Sequence, residues 1–235
     1  MAKLTKRQKA INEKLEAGKV YLPSEAVAAL KDLPAPKFDQ TVELAFRLGI
    51  NPKHADQQIR TTTSLPGGTG KDVRIAVVAK GEVEKAALEA GADFAGFDDL
   101  INKMQGGWLD FDLLLATPDV MPALARLGKV LGPRGLMPNL KTGTVLPAEQ
   151  LARGIKEFKA GKIEVRNDRQ GNIHVPIGKL SFEDSRLLQN LQAVVDTIQK
   201  NKPSTAKGTY MKNVTLTSTM GPGLKLDANR LIETI

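Results

Sequence analysis

The 235-residue chain carries 34 Lys and Arg against 26 Asp and Glu, a formal net charge of +8 and a pI near 9.6. Hydrophobic residues at 41% and charged residues at 26% exclude a wholly disordered chain, and no apolar run approaches the ~20 residues of a membrane span. With no Cys, and His only at 54 and 174, a disulfide framework, a thiolate metal site and a typical zinc site are excluded too, leaving a polyanion as the expected partner of a basic chain.

The N-terminal MAKLTKRQKAINEKL is basic but lacks the apolar stretch of a signal peptide, so the chain is expected in the cytoplasm. Thr5–Ala17 reads as a helix, with Thr5 and Gln8 spaced as a capping box and Gly18 as the stop. Ser24 is placed to cap a second helix ending before Pro34. Val42, Leu44, Phe46 and Leu48 alternate with Glu43, Ala45 and Arg47, the pattern of a half-buried strand.

The pattern changes after Pro66-Gly-Gly-Thr-Gly-Lys71. Val73–Ala79 is nearly continuously apolar, as in strands buried on both faces of a parallel sheet. A helix over Glu82–Ala90 with Gly91 as its C-cap follows, then a strand at Phe94–Phe97, a helix at Asp98–Gln105 and a strand at Phe111–Thr117. Helices over Val120–Leu131 and Pro147–Lys159 complete an alternation typical of a small α/β domain. Beyond Lys159-Ala-Gly-Lys162, Ile163–Arg166 and Ile173–Ile177 flank Asn-Asp-Arg-Gln-Gly-Asn and predict a hairpin. Leu187, Leu188, Leu191, Val194, Val195 and Ile198 recur at helical spacing, and Val214 and Leu216 alternate with Thr215 and Thr217 in a last strand.

The charge divides along the same lines. Residues 1–66 carry 11 basic and 7 acidic side chains, residues 67–159 carry 12 of each, and residues 160–235 again carry 11 and 7. The expected fold is therefore an α+β discontinuous domain built from both termini (1–66 and 160–235), with an inserted α/β, Rossmann-like domain of mostly parallel sheet (67–159). The two glycine-bearing seams suit a two-strand hinge.

Gly67-Gly-Thr-Gly-Lys71 fails as a phosphate loop. The first glycine position is Leu65, Asp72 stands where a hydroxyl should follow the lysine, and the loop precedes a strand rather than opening a helix. The acid pairs Asp98-Asp99 and Glu183-Asp184 fall at helix starts and read as caps, while Asp110 and Asp112 read as solvated charges at a strand entrance. No nucleophile with a neighbouring base appears, so the expectation is no catalysis, no cofactor and no metal. Asn213, Thr215, Thr217 and Thr219 share one strand face until Met220-Gly-Pro-Gly223 ends it. Such a row could meet ribose 2′-OH and phosphate, or could be strand-favouring threonines before an ordinary turn.

KFDQTVELAFRLGI (37–50), SLPGGTGKDVRIAVVAKG (64–81), GWLDFDLLLATPDVM (107–121), LGPRGLMPN (131–139), KAGKIEVRNDRQGNIHVPIGK (159–179) and KGTYMKNVTLTSTMGPG (207–223) closely resemble, in order, the bacterial large-subunit ribosomal protein L-one family. The resemblance implies the discontinuous two-domain fold and an RNA-binding, non-enzymatic structural protein of the large subunit. Its implied partners are the mobile stalk of large-subunit ribosomal RNA, the deacylated exit-site tRNA that the stalk accompanies outward, and the messenger of its own operon, which it represses. It implies no membrane and a monomer outside the ribosome. Matching positions imply RNA contacts for Lys37, Phe38, Thr41 and Glu43 at the first strand, Arg166, Asp168 and His174 around the predicted hairpin, and Asn213, Thr219, Met220 and Gly221 at the last strand. Arg134 and Lys141 are secondary contact candidates; Asn213 stands where the family carries serine, and Leu140 where it carries proline. An RNA-binding module without a ribosomal home is the alternative binding reading, and a nucleotide-dependent enzyme lacks the glycine loop it would need.

Overall fold

The computed structural model describes residues 5–16 and 18–233. They gather into two compact units: unit one holds the described residues up to Gly70 and from Ile163 onward, and unit two holds Lys71–Lys162.

Helix α1 (Lys6–Lys14) starts on the expected capping box, with Thr5 Oγ1 accepting from the Gln8 N–H at 3.3 Å and Gln8 Oε1 accepting from the Thr5 N–H at 3.0 Å. It ends earlier than expected, because Leu15 turns extended and packs against the core; Ala17 lies outside the described residues. After β1 (Val20–Tyr21) comes α2 (Pro23–Asp32), whose cap is not Ser24. Pro23 takes the first helical position, where its missing N–H is no loss, and the Glu25 carboxylate accepts from the N–H of the capping residue Leu22 at 3.4 Å. Strand β2 (Thr41–Leu48) alternates as expected. Strand β3 (Arg60–Ser64) was not signalled by its polar sequence; its buried Thr63 shares a hydroxyl–hydroxyl hydrogen bond of 2.8 Å with Thr197.

Unit two runs β4 (Ile75–Val78), α3 (Glu82–Glu89), β5 (Phe94–Gly96), α4 (Asp98–Gln105), β6 (Leu113–Ala116), α5 (Met121–Ala125), α6 (Gly128–Leu131) and α7 (Ala148–Ala160). Its sheet has the order β5-β4-β6 with both pairings parallel. Alternate β4 residues serve two cores: Ala76 and Val78 pack with Leu100, Met104 and Leu124, while Ile75 and Val77 pack with Ala87, Ile155 and Phe158. The expected single helix over Val120–Leu131 is broken in two at Arg126-Leu127, beside Gly128, whose helix propensity is poor. Val120, Leu124, Leu127 and Leu131 are nevertheless all buried, so the apolar spacing reported the burial correctly and the backbone incorrectly.

The chain returns through β7 (Lys162–Arg166), β8 (Asn172–Lys179), α8 (Asp184–Lys200), β9 (Met211–Ser218), β10 (Leu224–Leu226) and α9 (Ala228–Glu233). The predicted hairpin does not form as a paired ladder. Beyond an isolated bridge between Asn167 and Ile173, β7 pairs with β3 in a two-stranded sheet, and β8 pairs with β2. Unit one's main sheet has the order β1-β10-β9-β2-β8. Val42, Leu44 and Phe46 of β2 share a core with Val27 and Leu30 of α2 and with Leu187, Leu191, Val194 and Ile198 of α8. Each such buried side chain contributes about 1.5–3 kcal/mol of transfer free energy.

Asn190 of α8, fully buried, accepts from the Gly67 N–H at 2.8 Å and donates to the carbonyls of Gly68 at 2.9 Å and Ile177 at 2.7 Å. The first glycine seam is thus fastened to unit one through Gly68 rather than loose from Pro66. Neither acid pair caps its helix through a side chain; Asp98, Asp99 and Asp184 lie in first turns, where the helix dipole favours them, and Asp184 pairs with Lys31. Among the described residues no helix is long and apolar enough to cross a membrane.

Candidate nucleic-acid interface

In unit one, α2 and α8 take up one phase of the central strands, and the other phase stays half-buried or exposed. Because side chains alternate across a strand, the pairing register orders this second phase into rows. Glu43 lies between Thr217 and Pro176, Ala45 between Thr215 and His174, and Arg47 between Asn213 and Asn172. Thr41 faces Lys179, whose Nζ donates to Thr41 Oγ1 at 3.1 Å. Hydroxyls, an imidazole, two amides and charges of both signs therefore share one pleated surface, with the Ala45 methyl between its taller neighbours. Glu43 makes no ion pair among the described residues, so its carboxylate can accept from a ligand.

Where β9 ends beside the start of β2, the ladder closes on itself. The Thr219 N–H donates to the Thr41 carbonyl at 3.0 Å, and the Thr41 N–H donates to Thr219 Oγ1 at 3.0 Å. The Thr219 hydroxyl, 3.3 Å from the Thr41 carbonyl, is engaged within the protein before any ligand arrives. The Gly221 N–H closes the following turn on the Ser218 carbonyl at 2.9 Å. A Cβ at Gly221 would fall 2.3 Å from Ser218 Oγ, so only glycine fits there without displacing Ser218. Flanking these contacts in the sequence, Phe38 and Met220 are each 53% exposed. Lys37 is exposed in the lead-in to the strand.

Arg166 and Asp168 line one groove but are held differently. Asp168 builds the turn into β8: its carboxylate accepts from the Gln170 and Asn172 N–H groups at 2.8 Å each and from Asn172 Nδ2 at 3.0 Å. Desolvation pushes its pKa up, but these bonds from Asn172 and Gln170, with the charge of His174, outweigh it and hold the carboxyl below its ordinary value. Arg166 is exposed and lines an open groove with Pro52, Gln58, Arg60 and Arg169. Arg60 is ion-paired to Glu164 at 2.8 Å.

Arg134 and Lys141 lie on exposed turns of unit two. The Lys141 N–H donates to Asn139 Oδ1 at 2.8 Å, and Thr142 and Thr144 knit the same loop with their hydroxyls. Asp112 is not the solvated charge expected from its position. Its carboxylate meets Lys71 Nζ at 2.7 Å and Arg74 Nε at 3.2 Å. The Lys71 hydrogen bond, against partial desolvation and with help from Arg74, holds its pKa at about 2. Among the described residues no group of three His, Asp or Glu side chains could hold a metal ion.

The sequence reading missed Arg47, although it stands in the polar phase of β2, and it missed Gln40 and Arg7, whose hydrogen bonds to the Met220 turn link positions remote in sequence. Only Arg47 left a signal, its period-two spacing from Glu43 and Ala45. In comparison with known proteins, the family model described as the Ribosomal protein L1p/L10e family matches residues 29–222.

Proposed function

The chain belongs to the ribosomal protein L1p/L10e family, and we propose that it is a structural protein of the large ribosomal subunit that holds the mobile stalk of the large-subunit rRNA on the open face of unit one. The observation that carries this reading is the bare, polar phase of β2, β8 and β9, ending in Phe38 and Met220 thrust into solvent. Hydroxyl, amide and carboxylate groups on a rigid sheet can read 2′-OH groups and base edges, while Lys37, Arg47 and Arg166 neutralise phosphates. Ten aromatic rings in 235 residues, most of them needed for cores, leave few for base stacking, so recognition is by shape, hydrogen bonding and charge. Phe38 is the one Phe, Tyr or Trp ring among the proposed contacts.

The residues proposed to meet RNA are Lys37, Phe38, Thr41, Glu43, Arg47, Arg166, His174, Asn213, Met220 and Gly221. Thr219 and Asp168 act by holding the start of β2 and the turn into β8, with Arg134 and Lys141 as secondary contacts. Residues 1–66 and 160–235 act as one RNA-binding domain around the insert. The protein works in the cytoplasm on large subunits, where the stalk it holds accompanies deacylated tRNA from the exit site. The same surface binds the messenger of its own operon more weakly, so that free rRNA relieves repression.

Identification and footprinting of the RNA that co-purifies with the protein tests this directly. Stalk rRNA protected along a folded helix-and-loop region is expected, with affinity falling as salt rises by a slope of about 0.9 per phosphate neutralised. Tight binding to unstructured single strands, equal to that for the stalk, would contradict it. A Met220→Asp protein that loses rRNA yet keeps the messenger would refute a shared surface.

A further inference from the structure

Met220 is gripped by its backbone from two remote parts of the chain. Its N–H donates to Gln40 Oε1 at 2.9 Å, and its carbonyl accepts from the Arg7 guanidinium at 2.9 Å. The same Gln40 oxygen accepts from Ser218 Oγ at 3.1 Å, so a single amide oxygen spans the first and third residues of the Ser218–Gly221 turn. The Met220 N–H, which can only donate, identifies that atom as the oxygen of the amide. Gln40 is only 3% exposed, and its own carbonyl accepts from the Leu180 N–H at 2.8 Å, so the side chain starts from a fixed backbone.

The sheet does not need this arrangement to close, because Thr41 and Thr219 already bond each other reciprocally at the ladder's end. What the Gln40 amide adds lies one residue further on, at the exposed Met220, whose N–H it holds while Arg7 holds the carbonyl. Holding an exposed apolar side chain this way spends conformational entropy in the free protein rather than at the moment of binding. Gly221 belongs to the same device, since a side chain there would collide with the Ser218 hydroxyl that Gln40 holds.

We infer that Gln40 is a positioning residue for RNA recognition: its buried amide oxygen presets the Ser218–Gly221 turn in the shape in which Met220 meets RNA. The inference rests on the open face of unit one being the rRNA surface. Gln40 acts through Met220 and contributes no phosphate contact.

Gln40→Met in the full chain keeps the side-chain length and removes the acceptor. Hydrogen exchange at the Met220 amide should accelerate and the labelled Met220 methyl resonance should move, while affinity for a stalk rRNA fragment falls about tenfold at an unchanged salt slope. Gln40→Glu, which keeps an acceptor in place, should recover the Met220 amide protection and most of the affinity. If Gln40→Met releases the Met220 amide and still binds within about twofold of wild type, the turn is not preset for binding and the inference is overturned. Should Gln40→Met fail to fold, Gln40→Asn draws the same acceptor back by one methylene and is judged by the same pair of readouts. Met220→Asp separates the two levels. If it binds the stalk like wild type, the surface itself is misplaced and the role of Gln40 falls with it; if it is weak while Gln40→Met is not, only the role of Gln40 falls.

Discussion

The two units treat their central strands differently. In unit two, β4 is covered on both faces, and its alternate side chains are divided between two apolar cores. In unit one, β2 is covered on one face only, and its second phase of Thr41, Glu43, Ala45 and Arg47 is left to solvent or to a ligand. The charges follow suit. Unit one holds 21 Lys and Arg against 14 Asp and Glu, and unit two holds 13 against 12. Both units match charges internally, unit two with Asp112 on Lys71 and Arg74, Glu157 on Arg153 and Lys162, and Asp93 on Lys159, and unit one with Lys14 on Asp32, Lys31 on Asp184 and Arg60 on Glu164, so the contrast lies in the surplus. On unit one, Lys37, Glu43, Arg47 and Arg166 form no ion pair among the described residues. A strand buried on both sides has only core to offer, whereas a half-covered sheet keeps every second residue for recognition.

The largest effect that would sharpen this contrast is structural. Asn190→Leu would leave the Gly67 N–H and the Gly68 and Ile177 carbonyls without their buried partner, costing roughly 3 kcal/mol or more. Hydrogen exchange should speed up in β2, β8 and β9 and stay unchanged in β4; equal loss in both units would erase the distinction. Next comes binding. Met220→Asp is expected to weaken stalk rRNA affinity at least about tenfold, or ~1.4 kcal/mol, whereas Leu88→Asp, at a comparably exposed apolar site of unit two, should stay within about twofold.

The largest shift in each unit lies at an opposite end of the pH range. Burial pushes the Tyr210 hydroxyl of unit one up to about 12 from an ordinary value of 10.0, so the fold favours its neutral form. That contribution is complete below pH 10 and is lost as pH rises toward 12. Tyr210→Phe gives up the hydrogen bond to the Ile198 carbonyl, a loss of about 1 kcal/mol near neutrality, and should flatten the alkaline decline in urea-unfolding midpoints. In unit two the sign reverses. Asp112 contributes fully above its ordinary pKa of 3.8, and the contribution is lost as pH falls through about 2. With Lys71 and Arg74 both more than half exposed, Asp112→Asn should cost under about 1 kcal/mol and reduce the acid slope of unit two, leaving the part carried by Glu157, which Lys162 and Arg153 hold below its ordinary value.

What was legible in the sequence follows from these packings. Helices with a clear apolar stripe, such as α4, α7 and α8, were readable because one face meets a core. Strand β3 was not, since Arg60-Thr-Thr-Thr-Ser64 has no apolar alternation and Thr63 is buried by hydrogen bonding instead. Strands β1 and β10, of two and three residues, are too short to show a period. The Asn167–Asn172 segment does turn, but local turn chemistry cannot say that β7 will leave its neighbour for β3. On the proposed surface, the threonine row was visible as spacing, whereas Phe38 and Met220 stood out only through family resemblance. Gln40 gave no signal, because a polar residue before a strand looks the same whether it faces water or holds a turn 180 residues away.

The most direct measurement joins Gly70 to Ile163 through a short Gly-Ser linker and titrates the product with stalk rRNA. Keeping Gly67 and Gly68 preserves the partners of Asn190, which an earlier join at Leu65 would remove. If unit one carries recognition, the trimmed protein folds cooperatively and binds within about tenfold of the intact chain, a loss of no more than ~1.4 kcal/mol. A trimmed protein that folds yet shows no specific binding, while isolated Lys71–Lys162 binds the stalk, would contradict it.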